Sequence, residues 1–404
     1  MRNFRLALVC ATLVFSLPSL SQDTDATKRR IGAVEAVLKQ RPEDATLHFF
    51  LARFQCEAGN SGAALAALEN VERFGDGFLP PRDGFEGCWK EARFQQARAR
   101  MEARLPRLDY APTAFDLDDR TLIPEGIAHD NATGAFFLGS GARGTIVRVG
   151  FGNAVTEFSP RAEGLDSILG LAVDAPRRIL YAVGTSALTE AGRKRLKNAV
   201  LAFDIDKHSL VRRVEVPEAV QLNDVAVAIG GRVFASDSGS GAIFEIPREG
   251  SARTLVPADR LRGSNGLAAS PDGKRLYVAH STGLAVVDPS TGEAKRVANA
   301  TRETVAAIDG LYDFQGELIG VQNLTTPGRV IAITLSKDGE TVQRVRTLLS
   351  HHHNALDEPT TGVVTDRGFY LLAATGVRHL NANGTIDDPE TVPRPTVVRV
   401  LLPR

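Results

Sequence analysis

The chain has 404 residues, room for two or three domains and a large core. Lys plus Arg and Asp plus Glu number 48 each, so the formal net charge is zero, and nothing in that balance argues for nucleic acid or an anionic membrane surface as a partner. Aromatic residues make up 6%, glycines number 37, and short Val, Ile and Leu runs recur between turn residues, a composition that suggests β-structure over most of the length.

The first stretch, "MRNFRLALVCATLVFSLPSLSQ", has Arg2 and Arg5, an apolar run from Leu6 to Leu17, and small residues at Ser19 and Ser21. This pattern predicts a signal peptide over residues 1–21 and an exported protein, periplasmic or secreted. The apolar run is too short for a membrane span, and no later segment reaches a spanning length. Cys10 lacks the small preceding residue that a lipoprotein signal requires, so export without a lipid anchor is expected. Two cysteines remain, Cys56 and Cys88, and an oxidising compartment makes them a disulfide candidate. Two buried thiols are the alternative.

Residues 27–105 read as a small α-helical domain. Ile31, Val34, Val37 and Leu38 keep helical spacing up to Pro42. Two amphipathic helices then meet at Gly59-Asn60, and a last helix is expected over about 88–105. Small residues at Ala52, Gly59, Ala63 and Ala67 resemble the tetratricopeptide repeat, whose helix pairs stack through small side chains. With one clear repeat, the expected role is capping or packing, and a protein partner bound through these helices is the minority reading.

From residue 110 to 404 the period changes to strands. Six related units follow: "PEGIAHD", "ILGLAVD", "LNDVAVA", "SNGLAAS", "IDGLYDF" and "TTGVVTD". Their marks at Gly126, Gly170, Asp224, Gly266, Gly310 and Gly362 are spaced, by subtraction, 44, 54, 42, 44 and 52 residues apart. Such periods, with several strands in each, predict a mainly β fold, a six-bladed β-propeller preceded by the small helical domain. The final "TVVRVLLPR" and the early "APTAFDL" are expected to close the ring through the two ends of the chain.

The residues just before the marks are Glu125, Leu169, Asn223, Asn265, Asp309 and Thr361. The innermost strands of a propeller run along its axis, so equivalent positions converge at one height. Two carboxylates and two amides brought together there would repel or stay unpaired, and a bound cation resolves both problems. Glu125, Asn223, Asn265 and Asp309 are therefore the expected metal ligands. Hard oxygen donors without Cys or His put Ca²⁺ first, with Mn²⁺, Mg²⁺ or Zn²⁺ as alternatives.

With these motifs the chain resembles the senescence marker protein/gluconolactonase (regucalcin-like) family of six-bladed propellers and, more distantly, serum paraoxonase. The most specific match is "NGLAASPDGKRLYVA", and the likeness covers about residues 110–404. In that family a Glu of blade one, Asn residues of two middle blades and an Asp of blade five hold a divalent metal, which matches the same four positions here. The resemblance implies a lactonase or related ester hydrolase with a small-molecule substrate. A non-catalytic propeller, with a structural metal and a scaffolding role, is the competing reading.

On the hydrolase reading, Asp309 serves as ligand and general base, and His280, at the end of "RLYVAH", as proton shuttle. Antiparallel pairing places Ser140, Asp237, His280 and Gln322 or Asn323 near the same face. Asp237, Gln322 and Asn323 are thus candidates for supporting the ligands or touching substrate. Gly310 stands where paraoxonase has a second amide ligand, and that enzyme's histidine pair has no counterpart. The run His351-His352-His353 is expected in a solvated loop. Loops over the mouth, including 184–199, carry both charge signs and few aromatics, which favours a polar, sugar-derived lactone.

Overall fold

A computed structural model describes residues 24–186, 196–381 and 385–402. The expected signal peptide lies outside the described residues, as do positions 187–195 of the mouth loop. No helix among the described residues is long and apolar enough to cross a membrane.

Four α-helices come first: α1 (Thr24–Leu38), α2 (Ala45–Glu57), α3 (Ser61–Phe74) and α4 (Ala92–Glu102). Asp44 caps α2 by accepting the Leu47 N–H at 3.1 Å, and Gly59, at φ +76°, turns the chain between α2 and α3. Phe49, Ala52, Cys56, Ala64, Ala67 and Leu68 form the core between these two helices, where the small residues permit close approach. Cys56 and Cys88 are joined in a disulfide, their Cα atoms 5.3 Å apart. The last helix is shorter than its sequence suggests: Glu86–Cys88 is a single tight turn, and α4 begins at Ala92.

The strands form six sheets around one axis. Blade one is Pro124–Asp130, Ala135–Ser140, Ile146–Val149 and Val155–Ser159, and blades two to five repeat this antiparallel order. Blade five adds a short strand, Ala298–Asn299, parallel to its outer edge. Blade six takes its outermost strand, Thr113–Asp116, from the start of the β-region and pairs it with Thr396–Val400. The ring is closed by the two ends of the propeller chain, which leaves no open sheet between first and last blades.

Side-chain alternation builds the core. In the inner strand of blade one, Ile127 enters the apolar cluster shared with blade six, whereas Ala128 enters the cluster shared with blade two. Val225 and Ala226 divide blade three between blades two and four in the same way. A period of two residues thus gives each sheet two apolar faces, one for each neighbour.

The helices pack on the propeller mouth. Val34, Leu47, Phe50 and Phe54 cover Ala307 and Leu324 of blade five. Backbone bonds run between Asp76 and both Arg302 and Thr304, and between Leu79 and Thr325. Buried Arg329 fixes this joint by donating to Gln322 Oε1 at 2.7 Å and pairing with Glu303 at 3.1 Å.

Candidate functional site

The inner strands of neighbouring blades approach so closely that the marks at Gly126, Gly170 and Gly266 are steric requirements. A Cβ on Gly126 would lie 2.0 Å from the Leu169 carbonyl oxygen of blade two. One on Gly266 would meet the Leu311 nitrogen at 2.4 Å and the Asp309 carbonyl oxygen at 2.5 Å in blade five. Blade three departs from this rule. Asp224 replaces the glycine, and its carboxylate accepts the N–H groups of Val225 at 2.8 Å and of Leu267, in blade four, at 3.1 Å.

The strand ladders slip at three of the four candidate ligands, and in blade two at Leu169 as well. Pairing shifts between Pro124 and Gly126, between Leu222 and Val225, and between Ile308 and Leu311. A bulge re-aims a side chain that regular alternation would send to a neighbouring sheet. Two residues before each candidate carboxylate, Ile123 (φ 46°) and Ala307 (φ 51°) adopt the left-handed conformation. That conformation is uncommon for a β-branched residue such as Ile123. The backbone is thus specially shaped where Glu125 and Asp309 are presented.

The structure brings the four expected ligands to the propeller centre, with Glu125, Asn223 and Asp309 buried and Asn265 half-buried. Asp309 accepts Asn265 Nδ2 at its Oδ1 and Asn323 Nδ2 at its Oδ2, both at 2.7 Å. Glu125 Oε2 and Asn265 Oδ1 are buried and have no hydrogen-bond partner. Burial pushes the Asp309 carboxyl up to about 7, against the lowering effect of its two amide donors. Glu125 is raised well above the usual carboxylate range by burial and by the nearby charges of Asp309 and Glu358. Burial also takes Asp224 up to about 7. Asn223 lines the pocket beside Asn265 and Asp309.

An apolar-walled cavity of about 330 Å³ opens above these residues. Its floor includes Asn223, Asn265, Asp309 and Asn323, and Pro81, Arg82 and Trp89 of the helical region reach its lining. The Cys56–Cys88 disulfide stands directly before Trp89 and ties that segment to α2. The propeller therefore supplies the polar floor and the helices part of the wall.

Of the other expected residues, only Asn323 reaches the ligand set. Asp237 pairs with Leu222 as anticipated, but its carboxylate accepts the N–H groups of Val220 and Gln221, both at 2.8 Å, and the Ser240 hydroxyl at 2.6 Å. It braces the turn that delivers Asn223. Gln322 likewise donates to the Ala306 carbonyl at 2.7 Å, beside the strained Ala307. Ser140 donates to the Leu122 carbonyl. His280 does not line the cavity, and Thr282 N–H donates to its Nδ1 at 3.3 Å. Burial and the nearby Arg296 and Arg41 lower His280 to about 4, which holds it neutral. Strand-end position puts all these side chains at the correct height, yet the inter-blade turns engage them first. Thr361 donates its hydroxyl to the Glu125 carbonyl at 2.8 Å, and Leu169 joins an inter-blade core.

Two carboxylates escaped sequence reading. Asp224 was visible as the one departure from glycine at the repeat mark. Glu358 lines the cavity, paired with Arg378 at 3.0 Å, and lies in a loop with no repeat signal. Glu125, Asp224, Asp309 and Glu358 place four acids around the centre, and Arg378 compensates only the last. These clustered hard oxygen donors, two of them buried and unpartnered, could hold a divalent cation.

No protein-family model and no curated protein matches the chain. Among solved structures, the chain is similar to a luciferin-regenerating enzyme, with 16% identity, 72% of this chain and 95% of that one covered, and a TM-score of 0.50. A gluconolactonase from Xanthomonas campestris shares 17% identity over 74% of this chain and 91% of its own, with a TM-score of 0.48. A Thermus protein described as a putative glucose dehydrogenase shares 17% identity over 72% of this chain and 99% of its own, with a TM-score of 0.49. At these identities the likeness is one of fold alone, and the six-bladed β-propeller is read from the six sheets of the described residues.

Proposed function

We propose that the protein is an exported, metal-dependent hydrolase of a lactone or related ester, with a divalent ion, Ca²⁺ first, held by Glu125, Asn223, Asn265 and Asp309. The observation that carries the reading is the pair of partnerless buried oxygens, Glu125 Oε2 and Asn265 Oδ1, beside carboxylates whose proton affinity burial has raised. When bound, such an ion supplies Lewis acidity toward an ester carbonyl and lowers the pKa of water. Export is supported by the N-terminal sequence and by the Cys56–Cys88 disulfide.

The chain's own residues would contribute as follows. Asp309 is the carboxylate on the cavity floor placed to take a proton from an attacking water. The Asn265 and Asn323 amides hold both its oxygens and fix its plane. Trp89, Pro81 and Leu324 restrict water around the reacting centre. The cavity suits one small polar ring better than a long acyl chain, since about 330 Å³ is near the lower end for ligand pockets.

The test is hydrolysis of a panel of sugar and acyl lactones by the purified protein with Ca²⁺, Mn²⁺, Mg²⁺, Zn²⁺ or chelator, beside Asp309→Ala. Metal-dependent turnover that disappears in the variant supports the proposal. A folded, metal-loaded protein inert toward every lactone would instead favour a scaffold with a structural metal.

A further inference from the structure

The histidine run before blade six is not a freely solvated loop. His351 Nε2 lies 3.1 Å from Glu102 Oε1 of α4, and the His351 and His352 rings stand 4.0 Å apart at their centroids. His353 is committed elsewhere: its Nε2 lies 2.9 Å from the Ala111 carbonyl oxygen, and its Nδ1 accepts the Ala355 N–H at 3.1 Å. Contacts with α4 and with the segment leading into blade six hold a run that its polarity predicted to be solvated.

We propose that Glu102, His351 and His352 form a second divalent-metal site, selective for a Zn²⁺-class ion, that clamps α4 to the loop entering blade six. One ligand atom from each residue lies within 4.8 Å of the others. Ligands about 2.1 Å from a tetrahedral zinc are about 3.4 Å apart, so a shift of about an ångström closes the set. The surroundings orient these ligands. Ser350 Oγ lies 2.9 Å from His352 Nδ1, which leaves Nε2 for an ion, and Ser350 is itself held by the Leu108 backbone. Arg98 donates to Glu102 Oε2 at 3.0 Å and leaves Oε1 toward His351. Such outer bonds are the usual means of fixing metal-binding imidazoles and carboxylates. Two imidazoles and one carboxylate select Zn²⁺, Ni²⁺ or Cu²⁺ over Ca²⁺, and water completes the tetrahedron.

The clamp also adjoins the cavity. Arg98 packs over the Trp89 ring at 5.4 Å, and both residues line the pocket. An ion at Glu102 therefore braces the cavity wall from behind, without entering the propeller centre.

The experiment is Zn²⁺ titration by calorimetry, with thermal unfolding, on tag-free protein in excess Ca²⁺. It compares the native chain with His352→Ala, Glu102→Gln and Asp309→Asn. We expect Zn²⁺ binding with a higher melting temperature in the native chain and in Asp309→Asn. In His352→Ala and Glu102→Gln, which remove ligands, affinity should fall by more than the roughly tenfold to hundredfold that loss of an outer-shell partner costs. His352→Ala removes a side chain that meets Ser350 and His351 and faces Glu102, and near-UV circular dichroism checks its fold. Absence of Zn²⁺ binding in the native chain, or equal binding in folded His352→Ala, overturns the clamp. Loss in Asp309→Asn alone also overturns it, because the ion would then belong to the propeller centre.

Discussion

Asn265, from the start of blade four, donates its amide to Asp309 of blade five across 2.7 Å. The bond spans two sheets, orients the carboxylate at the centre of the ring, and leaves Asn265 Oδ1 buried and unpartnered. One residue thus fixes an acid and presents an oxygen. Asn265→Ala removes both a ligand and the group that orients Asp309, so Ca²⁺ binding should weaken by more than the roughly tenfold to hundredfold of an outer-shell loss while the fold persists. Calorimetric affinity equal to that of the native chain would remove Asn265 from the site.

Asn323 holds the other Asp309 oxygen, also at 2.7 Å. It acts by positioning and by lowering the proton affinity of Asp309. In Asn323→Ala, hydrolysis at neutral pH should fall roughly tenfold, the worth of one such bond. The acidic limb of the pH–rate profile should move to higher pH. A uniformly lower rate with an unmoved limb would assign Asn323 a merely structural role.

Metal-free stability should depend on pH in a defined direction. Asp309 and Asp224 are raised to about 7 in the folded state, above the usual unfolded value of about 4. The folded chain then keeps protons that the unfolded chain has released, so their contribution is full below pH ~4 and is lost as pH rises through about 7. His280, lowered to about 4, opposes this below pH ~6.5, where the unfolded imidazole begins to take up a proton. The clean window is therefore about pH 6.5 to 8. Chelated protein should melt at higher temperature at the acidic end of that window, and Ca²⁺ should flatten the slope. A chelated melting temperature that rises with pH would refute the assignment of raised carboxylates.

His280→Gln should leave kcat within about twofold of native, because the ring lies off the cavity and is held neutral. A loss of about a hundredfold or more in steady-state kinetics would restore the proton-shuttle role that sequence position suggested.

Breaking the Cys56–Cys88 link should act on the cavity wall. The bridge joins residues 32 apart in sequence, and removing a loop closure of this size costs about 3–4 kcal/mol in the chain-entropy account. Cys56→Ala with Cys88→Ala should lower the unfolding temperature of the helices and raise KM more than it lowers kcat, since Trp89 follows the bridge directly. Unchanged KM in the double variant would mean that α2 and the propeller hold Trp89 without it.

Much of the architecture was legible because a propeller is periodic. Each blade must bury two faces, so Val, Ile and Leu fill its strands, and the inner strand of the next blade passes so close that glycine stands at Gly126, Gly170 and Gly266. Repetition also aligned Glu125, Asn223, Asn265 and Asp309, because equivalent positions in a closed ring must converge.

Contacts without a period could be decided only by the tertiary structure. Bulges and left-handed residues at Ile123 and Ala307 present the carboxylates, and no residue pattern announces them. Asp237 and Gln322 stand at the correct strand ends, but hydrogen bonds to neighbouring turns engage them before any ligand could. Glu358 reaches the cavity from an irregular loop, and His351 meets Glu102 across 249 positions of sequence. Local spacing determines which faces of a strand are apolar. Which distant polar groups meet depends on how those faces close, and that is settled only when the ring and its helical cover pack together.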